Sequence, residues 1–75
     1  MDFDTLHARW RDHCSDIPLY QERPHLLSSA CFIESIEAFD EYLLIEDLIL
    51  DDEVAAGCFG GIFTADELDF LIESL

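Results

Sequence analysis

Lysine is absent from this chain, and only three arginines stand against eighteen aspartates and glutamates. Direct binding to nucleic acid needs a basic patch that neutralises phosphates and releases their counterions, so that function class is excluded. An anionic membrane surface is excluded by the same sign. Cysteine is scarce as well. Cys14, Cys31 and Cys58 are odd in number, far apart and without a CxxC pair, which argues against a disulfide framework and for a reducing compartment. Three small core residues are the expectation, as for most free cysteines. No apolar run approaches the roughly 18 residues of a membrane span. The opening Met1-Asp2-Phe3-Asp4 is acidic where a secretory signal would be basic and then apolar, so a cytoplasmic protein is expected.

What is present is apolar mass and negative charge. Seventy-five residues make one domain, 1–75, and the apolar share of 51% is that of a folded protein rather than an acidic tail. A chain this short buries only about 60% of its unfolded surface. It has little room for a catalytic cleft beside its core, so an enzyme is not expected. Net charge is −15, and Arg9, Arg11 and Arg23 share the first 25 residues with all three histidines. From Leu26 onward there are 13 carboxylates and no basic side chain. Such a field speeds association with a basic protein surface and opposes self-association, so a monomer in isolation is expected.

Helical spacing runs through the chain. Phe3, Leu6, Trp10, Cys14 and Ile17 recur at three- and four-residue steps and predict a helix over about 3–15, capped by Asp2 or Asp4 and stopped by Pro18. Between Pro18 and Pro24 a loop is expected, anchored by Leu19 and Tyr20. Phe32, Ile33, Ile36, Phe39, Leu43 and Leu44 predict a helix over about 28–46 that begins at Ser28 or Ser29. Glu34, Glu37 and Glu41 share its opposite face. The register fails after Ile45, where Asp47 would point into the core, and Leu48-Ile49-Leu50 then reads as an apolar link. Asp51 is a candidate N-cap for a short helix over 52–59, with Gly60 as its left-handed stop. Thr64 and Glu67 form a capping box, Phe63 and Leu68 have the spacing of a hydrophobic staple, and a last helix over 64–75 buries Leu68, Leu71, Ile72 and Leu75. The expected fold is therefore all-α, a small four-helix bundle.

Few constellations carry chemistry. His7, His13 and His25 lack a nucleophile-elbow sequence and read as surface or boundary residues. His13, Cys14 and His25 have no metal-ligand spacing. Gly60-Gly61-Ile62 echoes the second half of a calcium loop. The first ligand positions there fall on Ala, Cys, Gly or Phe, so no metal is expected. Gly57-Cys58-Phe59-Gly60-Gly61 lacks the lysine of a phosphate loop.

From Glu34 to Ile72 the layout resembles an acyl or peptidyl carrier protein. Glu34-Ser35-Ile36 stands where that family has Asp-Ser-Leu, and Leu27 lies eight residues before the serine, at a family core position. Leu50-Asp-Asp-Glu-Val-Ala55 is similar to the acidic start of the family's helix III. Thr64-Ala-Asp-Glu-Leu-Asp-Phe-Leu-Ile72 is similar to its helix IV, and Ser35 and Thr64 are 29 residues apart, close to the family interval. The resemblance implies a four-helix acidic domain that bears 4'-phosphopantetheine on Ser35 and docks on basic partner enzymes. It departs at Phe32, where the family has a glycine that turns the chain into helix II, and at Phe39, where a valine is usual. Without that glycine Ser35 falls inside a helix already begun at Ser28.

Two other classes of function fit the charge. One is an acidic inhibitor of a nuclease or another nucleic-acid-binding partner. Anti-restriction, anti-CRISPR, immunity and antitoxin proteins are often small and heavily negative, and some present carboxylates spaced like DNA phosphates to a basic groove. Its docking stripe would be Glu34, Glu37, Asp40 and Glu41, continued by Glu46, Asp47, Asp51, Asp52 and Glu53. The other is a subunit or adaptor, which would expose an apolar patch around Leu48 to Leu50 or Phe59 to Phe63.

Overall fold

The computed structural model describes all 75 residues, and every regular element in it is helical. Helix α1 spans Phe3–Cys14, α2 Pro18–Glu22, α3 Ser29–Ile45, α4 Asp52–Ala56 and α5 Ala65–Glu73, with a 3-10 turn over Pro24–Leu27. Four helix starts are set by side-chain caps. Asp2 accepts from the Thr5 amide at 2.7 Å, Ser28 from Cys31 at 3.3 Å, and Asp51 from Val54 at 2.9 Å. At α5 the capping box is complete: Thr64 Oγ1 accepts from the Glu67 amide, and Glu67 Oε1 accepts from the Thr64 amide. Each such cap is worth about 1 kcal/mol.

The architecture is all-α, but only three helices exceed five residues, so it is a three-helix core with short helical connectors. Two parts of the sequence reading are corrected here. The segment between the prolines is not a loop. Pro18 ends α1 by occupying the first position of α2, where its missing N–H costs nothing and its φ already suits a helix. Pro24 starts the 3-10 turn in the same way. The third predicted helix, 52–59, closes at Ala56 instead, with Gly57 as its C-cap.

The segment Phe59–Gly61 is a left-handed turn, with φ of 51° at Phe59, 66° at Gly60 and 75° at Gly61. Glycine tolerates this region and phenylalanine does not. Phe59 is held there by its ring, which meets Phe39 at 5.5 Å and Phe63 at 5.9 Å between centroids. Gly60 is favoured chiefly by its φ, and a Cβ there would also lie 2.6 Å from the His13 ring, which would have to swing aside.

One core of eleven residues draws on α1, α3, α4, α5 and the Phe63 turn. Its hub is Phe32, fully buried, with ring centroids of Trp10 at 5.0 Å, His7 at 5.3 Å, Phe3 at 5.5 Å and Phe63 at 6.1 Å. The residue that departs from the carrier pattern is thus the centre of the core. His7 is half-buried beside it and donates from Nε2 to the Leu27 carbonyl at 2.9 Å, tying α1 to the 3-10 turn. Of the cysteines Cys14 is buried and the other two are half-buried, all three as thiols.

Several predicted core positions lie outside. Ile17, Leu44 and Leu75 are exposed, and so is Leu19, while Tyr20 packs edge-on against Trp10. Leu44 is 75% exposed because α3 buries Phe32, Ile36, Phe39 and Leu43, and a residue one step past Leu43 turns about 100° from that face.

Candidate functional site

The acidic residues singled out by the sequence lie on α3, on the turn after it and on the first turn of α4. Glu34, Glu37 and Glu41 stand on the solvent face of α3, as the spacing predicts, and Asp40 is half-buried beside them. Glu46 caps α3, and Asp47 follows with φ of 52°. The Leu48 amide donates to the Leu43 carbonyl and the Asp47 amide to Leu44, which is the Schellman closure of a helix, with aspartate where glycine is usual. The predicted end of the helix at Ile45 to Asp47 thus has a specific cause. Asp51 spends one carboxylate oxygen on the Val54 amide, and Asp52 and Glu53 sit in the first turn of α4, where the helix dipole favours negative charge.

No arginine reaches any of these nine carboxylates. The single ion pair of the molecule joins Arg9 to Glu67 at 2.7 Å, leaving seventeen of the eighteen acidic side chains without a cationic partner. Arg9 also donates to the Ile62 carbonyl and lies 5.7 Å from the Phe63 ring centroid, so it fastens α1 to the start of α5. Partial burial raises the Glu67 carboxyl, but the Thr64 amide and the Arg9 guanidinium outweigh it and hold that group below the usual carboxylate range. Burial pushes the Cys14 and Cys58 thiols up, away from the reactive thiolate.

Ser35 is the seventh residue of α3, half-buried, and its hydroxyl donates to the Cys31 carbonyl at 3.1 Å. This is the back-bond of a mid-helix serine. It lines an open groove of about 340 Å³ whose walls include Trp10, Tyr20 and Leu26. No three histidine, cysteine or acidic side chains converge as metal ligands, and no helix is long and apolar enough to cross a membrane.

The apolar content of the acidic surface was only partly legible in the sequence: the Leu48-Ile49-Leu50 link was expected as a patch, and Leu48 and Ile49 are exposed, but Tyr42, Leu44 and Ile45 were not expected to join it. Nine large apolar side chains are exposed, and five of them fall between residues 42 and 49: Tyr42, Leu44, Ile45, Leu48 and Ile49. Leu44, Ile45 and Ile49 are 75%, 72% and 82% exposed. On an ideal helix Leu44 and Ile45 flank the line of Glu37 and Glu41. The run Leu43-Leu44-Ile45 carried the clue, since three consecutive residues sweep too wide an arc to face one core. The second half of the expected adaptor patch is not exposed. Phe63 is buried, and Phe59 and Ile62 are half-buried. Next to Leu48 and Ile49 lies an open hollow of about 460 Å³, lined also by Asp47, Asp51, Glu53 and Val54.

Comparison with known protein families, curated proteins and solved structures finds no match for this chain.

Proposed function

We propose that this chain is an acidic docking protein that occupies the basic, nucleic-acid-binding surface of a partner protein and thereby inhibits it. One observation carries the reading. Seventeen carboxylates have no internal counterion, and eight of the nine on the α3–α4 surface are exposed. Uncompensated charge of one sign opposes folding through self-repulsion, and the same field steers the chain toward a surface of opposite sign. Along α3 the axial steps from Glu34 to Glu37 to Glu41 are about 4.5 and 6 Å, a line of like charges somewhat wider than the roughly 3.4 Å axial step of one DNA strand. Such a surface is read by arginine and lysine in the groove that otherwise takes phosphates.

The carrier resemblance is less well supported by the geometry. An arm-bearing serine belongs at a helix start with its hydroxyl free, and Ser35 has neither property.

The test is competition. Against a panel of purified nucleases and other DNA-binding proteins, the chain is expected to displace duplex DNA from at least one member at low salt. Failure to displace DNA from any of them overturns the inhibitory reading.

A further inference from the structure

We infer that the turn closing α3 is the anchoring point of that docking surface, and that it takes a partner segment with branched apolar side chains on one face and arginines beside them. The inference rests on the reading above and adds what the partner must present. Leu44, Ile45, Leu48 and Ile49 lie within six residues around the left-handed Asp47 and are exposed without a covering element. Glu41, Glu46, Asp47, Asp51, Asp52 and Glu53 flank them in the sequence and are all exposed, and Asp47, Asp51 and Glu53 line one hollow together with Leu48 and Ile49. An apolar centre inside a charged rim is the anatomy of a protein interface.

The hollow beside Leu48 and Ile49 adds chemistry. Its apolar members Leu48, Ile49 and Val54 suit the hydrocarbon stem of a long side chain, and Asp47, Asp51 and Glu53 stand around it for a cationic head. Arginine fits better than lysine, because its planar fork pairs bidentately with a carboxylate and keeps further N–H donors for a neighbouring one. A second copy of this chain is the disfavoured occupant. Each copy carries net charge −15, and the same acidic rim would face itself.

The experiment uses the whole chain and two synthetic peptides. One is a helix of about 18 residues with leucine and isoleucine on one face and arginine on the other. The second has the same composition with the apolar face scrambled. The ordered peptide is expected to bind at least tenfold more tightly, with amide shifts concentrated between residues 42 and 54. Leu44→Ser/Ile49→Ser is expected to erase that preference with an unchanged thermal midpoint, since both side chains are more than 70% exposed. Equal binding of the two peptides, with shifts spread along α3, overturns the anchoring point and leaves the acidic docking reading standing. Binding of neither peptide overturns both. A dimer that strengthens with salt and is broken by the same double substitution overturns the inference in favour of a second copy.

Discussion

At the scale of single residues, Phe32 and Ser35 are where the carrier resemblance is open to test. Phe32 meets four aromatic rings at the centre of the core, so Phe32→Ala removes about 3–5 kcal/mol. A domain of this length has a total stability of only about 4–11 kcal/mol. The variant is expected to lose most of its cooperative thermal transition by circular dichroism. Ser35→Ala, three positions along the same helix, is expected to stay within about 0.5 kcal/mol of the parent, because it gives up one helix-weakening back-bond and no packing. A phosphopantetheinyl transferase and coenzyme A are expected to add no mass at Ser35. A mass gain there would restore the carrier reading.

At the scale of elements, the left-handed Phe59–Gly61 turn and the α5 cap hold the chain's second half in place. Gly60→Ala is expected to cost about 1–2 kcal/mol by chemical denaturation, mostly from the positive φ. The overlap with His13 adds less, because that exposed ring can swing aside, so a His13→Ala background is expected to return under half of the loss. Glu67→Gln isolates the charge of the cap. The folded Glu67 carboxyl titrates below its ordinary value of 4.5, so its ionic contribution is complete above that pH and fades as the pH falls through the folded value. The gap in thermal midpoint between parent and Glu67→Gln is expected to be a few degrees at neutral pH, for roughly 1 kcal/mol, and to shrink below pH 4.5.

These elements also show what the sequence can carry. Caps are local, so Thr64 with Glu67 and Asp51 were legible outright, and the first two helix starts to within a choice of two residues, Asp2 or Asp4 and Ser28 or Ser29. The long helices were legible because their apolar stripes are long. The short α2 was not, since a proline after a helix reads as a stop while its second role, opening the next helix, depends on only four following residues. Exposure of Leu44 and Ile45 was hidden for another reason. Periodicity identifies a face, but the place where the packing partners of α3 give out is a tertiary fact. The acidic half of the candidate site could therefore be read in advance, and its apolar centre only in part.

At the scale of the whole molecule, charge dominates. Seventeen unpaired carboxylates on a body of 35 × 23 × 18 Å repel one another at low ionic strength. Added salt shortens the screening length from about 30 Å at 0.01 M to about 10 Å at 0.1 M, so it should stabilise this fold. The thermal midpoint is expected to rise over that range. A flat or falling midpoint would mean that the carboxylates are already compensated. The same screening acts oppositely on a complex with a basic partner, weakening it as salt rises.

That opposition supplies the most direct measurement: affinity for a basic-grooved DNA-binding partner as a function of sodium chloride, for the parent and for Glu37→Lys/Glu41→Lys. Both changed residues are exposed, and neither makes an internal ion pair, so the fold should be unaffected. The account predicts that the parent loses at least about tenfold in affinity between 0.05 and 0.2 M salt, and that the reversed variant binds weakly at both with a shallower slope. A salt-independent affinity, or a reversed variant that binds as tightly as the parent, would contradict it.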